Sequence, residues 1–528
     1  MQRKSEDPFP FSKGIAMRQS FATLCLASFL VAAPLARAST PGDVIFASGF
    51  QYRDLPAAPI INPGAPTSAP TLFAVAGAPT GGPCVADPQS GTLYPNNWLR
   101  PGFTWIAAGG ENLFELRITV QNQDGALLAY TSGTTWTMPA NVWAGLLQHS
   151  VDQTITMTVR GATYSAGSGN LTSGPELGSS GTVRVAPVAA PGAIVYWTNA
   201  SSGVQLRGFR VGDETLKDIV SPAGAGTTCV GCHTATPDGA YVGLAAATSG
   251  GSDLALLSAD GQELTPSFIS MSAKTLMARA DQEAAAFSNQ HWTAGNRIAL
   301  TMYQSQIMWT DLEASSTAQG AGWGYLARSG DLANAASASF AHTSDTVLYV
   351  ASSSPVSQGV TVVGGDVKTV PYNNGAGGSA SPVFGASAAE YNEYYPSFSP
   401  DDAYIAFNRV AAASSSYNNP QAEVYVVPSA GGMPVRIAAN DPSVCTGKTS
   451  PGITNSWPRW APAAQDSGGK RYYWMTFSST RGSQRQVYIA PIVESGGTLT
   501  TYPALYPWNQ VAGDDNHTPA WDDFAIPF

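Results

Sequence analysis

The stretch Cys229-Val230-Gly231-Cys232-His233 places two thiols and an imidazole within five residues. Thiols three apart, with a histidine directly after the second, form the attachment pattern of a c-type haem. The sulfurs serve the vinyl groups and the imidazole ligates the iron. Haem c, an iron cofactor, is therefore expected, bound by Cys229, Cys232 and His233 with His233 as the metal ligand. Three other chemistries use the same residues. A disulfide between Cys229 and Cys232 would leave His233 incidental. A zinc site would need further thiols or imidazoles at the usual spacing. A thioredoxin-like redox pair wants a βαβ setting that this chain lacks.

The elements that hold the motif follow from what comes after it. Thr236-Pro237-Asp238-Gly239 and Ala240-Tyr241-Val242 read as a tight turn and a second strand. The pattern recurs most clearly in Tyr395-Pro396-Ser397-Phe398-Ser399-Pro400-Asp401-Asp402-Ala403-Tyr404-Ile405. Strands at 423–428 and 435–437 complete a four-stranded antiparallel unit, which is one propeller blade. Aligned on the residue before the turn, the units fall at Ala235, Phe287, Phe340, Phe398, Trp460 and Trp521, in steps of 52, 53, 58, 62 and 61 residues. Further strands are expected at 253–257, 298–301, 307–309, 347–350, 360–363, 472–477 and 486–489. The last unit has almost no chain after it, and 193–197 opens a unit with no inner strand before it. Joining the two closes a ring and removes both open edges.

This text resembles the TolB-like (PD40) β-propeller family over residues 193–528, best at 396–407 and at Ser478-Ser479-Thr480-Arg481-Gly482 with Val487-Tyr488-Ile489. The resemblance implies a six-bladed propeller, with seven blades as the alternative count, and it specifies fold far better than function. In the alignment His233 matches Pro396, Pro458 and Pro519, so it starts a tunnel-lining strand at one mouth. His517 lies at the same mouth in the neighbouring unit and is the expected sixth ligand, with Met271 and Met277 as alternatives. His291 and His342 belong to the opposite mouth. Asp281, Glu283, Asn392, Glu393, Asn455 and 514–516 are expected around the rim.

Upstream, Phe114, Leu116, Ile118 and Val120 alternate with polar residues, and Ile155, Met157 and Val159 repeat the period of two. A turn at 122–125 and a core Trp105 complete the signature of an immunoglobulin- or fibronectin-like β-sandwich over 83–186. Trp98, Trp136 and Trp143 would fill its core or line a sugar-binding face. Residues 39–82 read as a Pro/Ala/Gly-rich linker and 187–192 as a second, shorter one.

The whole chain is thus expected to be all-β. Only 12% of its residues are charged, against roughly 25% in an average domain. The net charge of −10 excludes a nucleic-acid partner, which needs a basic stripe. Residues 1–38, with the natural start at Met17, read as a signal peptide: a basic opening, an apolar run from Phe21 to Leu35 and a cleavage site at Ala36-Arg37-Ala38. No membrane segment is expected once it is removed. The address is the periplasm or surface of a Gram-negative bacterium, where Cys84 and Cys445 are free to pair. A redox protein or an envelope protein is the expected partner, and electron transfer or redox chemistry at the tunnel mouth the expected role. The alternative is a scaffold that docks a protein, peptide or glycan without haem. No Gly-x-Ser-x-Gly elbow, P-loop or His-Glu-x-x-His occurs, so no catalytic residue is assigned.

Overall fold

A Ser/Thr-Pro-Asp turn shapes the inner hairpin of two of the repeated units. Ser399 Oγ donates to Asp401 (2.7 Å) and accepts from the Tyr404 amide (2.9 Å), while Asp401 takes the Ala403 amide (3.2 Å). Thr236 and Asp238 repeat all three contacts, at 2.6, 3.1 and 3.1 Å. The fourth turn position is left-handed in both, at Asp402 (φ 57°) and Gly239 (φ 68°). A side chain at Gly239 would strike the Asp523 carbonyl, which explains the glycine there. Each turn aspartate also reaches the following sheet: Asp238 accepts from Trp292 Nε1 (2.9 Å) and Asp401 from the Tyr473 hydroxyl (2.7 Å). One local motif therefore shapes the hairpin and spaces the sheets.

The computed structural model describes residues 51–526, apart from 202, 249–250, 261–264, 280–281, 332–333 and 357–360. The expected signal peptide, residues 1–38, lies outside the described residues. Six antiparallel sheets follow one another from residue 193 onward. Their innermost strands are, in sheet order, Asp515–Asp522, Cys229–Ala235, Glu283–Thr293, Asn334–Phe340, Tyr391–Phe398 and Asn455–Trp460. Each of these strands touches the next, and Asn455–Trp460 touches Asp515–Asp522, so they enclose a central tunnel in the manner of a β-propeller. The first sheet takes its innermost strand from the far end of the chain: Ile194 pairs with Trp521 and Ala193 with Asp522. Ring closure by the last repeat is thus as the alignment expects. One strand differs. In the fourth sheet the partner of Thr346–Ser352 is Gly365–Pro371 rather than 360–363. Gly364, at φ 61°, turns the chain after the apolar run, and pairing starts beyond it.

Every innermost strand carries a bulge, with one residue more than its partner. It ends at Ala286, Ser339, Ser397, Arg459 and Ala520, one residue before the aromatic position. In the second sheet it is displaced by one, lying between Val230 and His233, two residues before Ala235.

Before the ring, Leu113–Val120, Leu127–Thr131, Ile155–Ser165 and Asn170–Val185 make most of a six-stranded sheet, and Cys84–Asp87, Gly102–Ile106 and Thr135–Thr137 a three-stranded one. The alternating residues Phe114, Leu116, Ile118 and Val120 are buried between them. Glu115, on the opposite face, is buried too, tied to Arg160 (2.7 Å) and the Tyr130 hydroxyl (2.8 Å). Trp98, Trp105, Trp136 and Trp143 all lie in this core, so none offers a sugar-binding face. The same core continues through Ile194, Tyr196, Trp474, Ile489 and Trp521 of the first and sixth sheets.

Two stretches expected as linkers are partly built into the fold. Ile60–Ile61 adds a parallel strand beside Ala129 and Tyr130, and Leu55 and Phe73 are buried. Asn97 grips Ala190 at both amide and carbonyl (2.8 and 2.9 Å). Ile60–Ile61 thereby covers an edge of the six-stranded sheet, and Asn97 pins the second stretch by side-chain hydrogen bonds. Cys84 and Cys445 form a disulfide across a separation of 361 residues, their Cα atoms 5.5 Å apart. Among the described residues no helix is long and apolar enough to cross a membrane.

Candidate functional site

Cys229, Cys232 and His233 lie on the innermost strand of the second sheet, at its displaced bulge. Strand residues alternate faces, and one inserted residue resets the alternation. Cys229 and Cys232 therefore share one face, where both thiols are half-buried. Val230 and His233 share the other and are buried against the first sheet. His233 donates from Nε2 to the Val195 carbonyl (3.0 Å), and Nδ1 lies 3.3 Å from the Gly231 carbonyl. Burial holds its pKa below the usual histidine value, so the ring is neutral. Metal ligation requires that form of the ring.

His517 stands on the facing strand of the first sheet. Its ring packs on Trp197, centroids 4.5 Å apart, and Trp197 Nε1 donates to the Val230 carbonyl (2.8 Å). Burial, followed by the Arg485 guanidinium, pushes the His517 pKa down to about 3, and the neighbouring His233 acts in the same direction. The fold thus brings the two nominated histidines into one buried interface. The remaining three are held by aspartates: His149 by Asp54, His291 by Asp345 and His342 by Asp402, each at 2.9 Å. Met271 is 78% exposed and Met277 packs with Leu254 and Leu256, so neither borders the tunnel.

Of the expected rim residues, Asp281 lies outside the described residues, and those whose side chains are described are committed elsewhere. Glu393 pairs with Arg409 (2.6 Å), Asp514 with Arg207 (2.7 Å) and Asp515 with Arg485. Asn392 and Asn455 are fully buried and hydrogen-bonded to neighbouring loops.

All six innermost strands contribute to a central cavity of about 250 Å³. Cys232 and His233 both border it although they belong to opposite faces, because their strand has its free edge along the tunnel. Two lining residues escaped the sequence reading. Arg459 is only part covered, its open surface being cavity wall, and Nη1 donates to the Pro458 carbonyl (3.2 Å). Burial lowers its pKa, against the pull of Cys232 and Asp522. Asp522 accepts from the Ala235 amide (3.2 Å) and the Thr234 hydroxyl (3.5 Å), and burial raises its pKa to about 6. The repeat alignment held the signal for both. Arg459 occupies a position filled elsewhere by Thr234, Ala286, Ser339, Ser397 and Ala520, and Asp522 one filled by Thr236, Ser288, Ala341, Ser399 and Ala461.

Among the described residues no three of His, Cys, Asp and Glu group closely enough to hold a metal ion by themselves. For a haem, the donor types fit, two thiols and a neutral imidazole, while the imidazole lies on the opposite face of the strand from the thiols with its Nε2 on the Val195 carbonyl.

No family model matches the sequence, and comparison with curated proteins gives no match either. Among solved structures, the chain is similar to TolB from Acinetobacter baumannii, with 12% identity over 70% of this chain and 79% of that one, at a TM-score of 0.36. A putative TolB from Agrobacterium tumefaciens shares 12% identity over 62% and 96% (TM-score 0.28). Hydrazine synthase from Kuenenia stuttgartiensis shares 13% over 48% and 76% (TM-score 0.26). These are likenesses at low identity and low superposition, and the propeller assignment rests on the strand pairing itself.

Proposed function

We propose that this chain is an exported six-bladed TolB-like propeller, preceded by an immunoglobulin-like sandwich, that holds one c-type haem. Cys229 and Cys232 are the covalent anchors, His233 is the axial ligand and His517 the candidate sixth ligand. The observation that carries this reading is the shared position of Cys232 and His233 on the cavity edge, with a second neutral histidine across the sheet interface. A cavity of about 250 Å³ falls below the ~300–1,000 Å³ of ordinary cofactor pockets, which favours a group that caps the tunnel mouth over one that fills the tunnel. When bound, haem supplies one-electron redox chemistry at its iron. The chain's own part is to exclude water and hold the imidazoles neutral. His233 Nε2 must release the Val195 carbonyl to face a metal, an exchange worth about 1 kcal/mol. The compartment is the periplasm or cell surface, and the partner a redox or envelope protein.

The test is the visible spectrum of the mature chain made with a cytochrome c maturation system. One haem per chain by pyridine haemochrome is expected, lost on Cys232→Ala. A colourless protein sinks the proposal. His517→Ala should turn a low-spin spectrum high-spin, and an unchanged spectrum excludes His517 as ligand.

A second reading, a binding module without haem, is favoured by the charged lining of the cavity at Arg459 and Asp522. It predicts that function survives the double change Cys232→Ala, His233→Ala.

A further inference from the structure

Arg459 and Asp522 face one internal cavity from adjacent strands of the sixth and first sheets. Buried charges of opposite sign ordinarily close on each other, because an unpaired one is costly. Here no ion pair joins them among the described residues. Arg459 makes one hydrogen bond, to the Pro458 carbonyl, although a guanidinium offers five donors in a planar fork. Asp522 receives both of its hydrogen bonds on Oδ2, leaving Oδ1 as an acceptor. The rest of the polar lining comprises Cys232, His233, Asn289, His342, which is held by Asp402, the exposed Asp523, and small neutral groups such as Ser337 and Ser397.

We propose that the cavity is a binding site for a small zwitterion of the α-amino-acid type, its carboxylate on Arg459 and its ammonium on Asp522. A guanidinium fork matches a carboxylate bidentately. The free Asp522 oxygen is an acceptor for an ammonium. A simple anion would use Arg459 and leave Asp522 uncompensated, and a simple cation the reverse; a zwitterion completes both. The cavity volume admits a small molecule and excludes a glycan chain or a folded partner. The site shares its cavity with Cys232 and His233, and Cys232 lies within electrostatic reach of Arg459, but neither charged residue is a proposed haem anchor or ligand, so titration with amino acids reads the zwitterion site whether or not haem is attached.

The experiment is calorimetric titration of the mature full-length chain with L-alanine, L-leucine and L-phenylalanine, beside acetate and methylammonium. At least one amino acid should bind about tenfold or more tightly than either half-ligand. Arg459→Gln should weaken that amino acid by about tenfold or more, whereas Asp522→Asn should weaken the amino acid without weakening acetate. Absence of binding by all three amino acids at about 10 mM overturns the proposal, as does equal affinity for acetate or full affinity in Arg459→Gln. Thermal melts establish that each variant folds. If one does not, the parent chain's preference among the five ligands decides the matter alone.

Discussion

Asp87 ends the strand Cys84–Asp87 beneath the ring, within electrostatic reach of Arg481, Tyr94, Tyr488 and Tyr506. Burial raises its pKa to about 7, against the pull of Arg481. A carboxyl raised in the folded state favours folding while protonated, so its penalty grows as pH climbs from the unfolded value near 4 through 7. Asp87→Asn should therefore raise the melting temperature at pH 8 and leave it nearly unchanged at pH 4, in a melt series across that range. The opposite slope would refute the assignment. Single residues were unevenly legible in the sequence. The thiols and His233 announce themselves by spacing, and His517 by its place in the repeat. Arg459 and Asp522 look ordinary alone, and only their contrast with five neutral counterparts marks them.

At the scale of elements, the disulfide between Cys84 and Cys445 staples a strand of the three-stranded sheet that precedes the ring to the segment Val444–Thr446 that leads into the ring's sixth sheet. Its closed loop is long, so removing it should cost about 2–5 kcal/mol. The paired change Cys84→Ser, Cys445→Ser is expected to lower the urea midpoint without altering the tunnel, and an unchanged midpoint would show the apolar interface alone to be sufficient. The strands of both regions were readable from their period of two and their turn residues. The helix Ala140–His149 was not. Pro139 precedes it without a side-chain cap, so the usual start signal is missing, and Val142, Trp143 and Leu146 gain their place only by packing into the sheet core. The bulges were equally hidden, since a residue inserted between paired strands leaves no compositional trace.

Across the whole molecule, the pairing of Ala193–Ala200 with Asp515–Asp522 converts a row of sheets into a ring. Deleting residues 515–528 should leave the inner edge of Ala193–Ala200 unpaired and abolish a single cooperative thermal transition; a truncated chain that melts as sharply as the parent would mean that the ring needs no closure. The repeat spacing made this closure readable, because it left one unit short of a strand and another with a strand to spare. The arrangement also sets a clock on biosynthesis. Asp515–Asp522 is synthesised after every other strand of the ring, so five sheets must wait, incompletely enclosed, for the strand that seals them. Chaperones and proteases present where the chain folds meet that waiting form, and every product terminated before residue 515 stays in it for good.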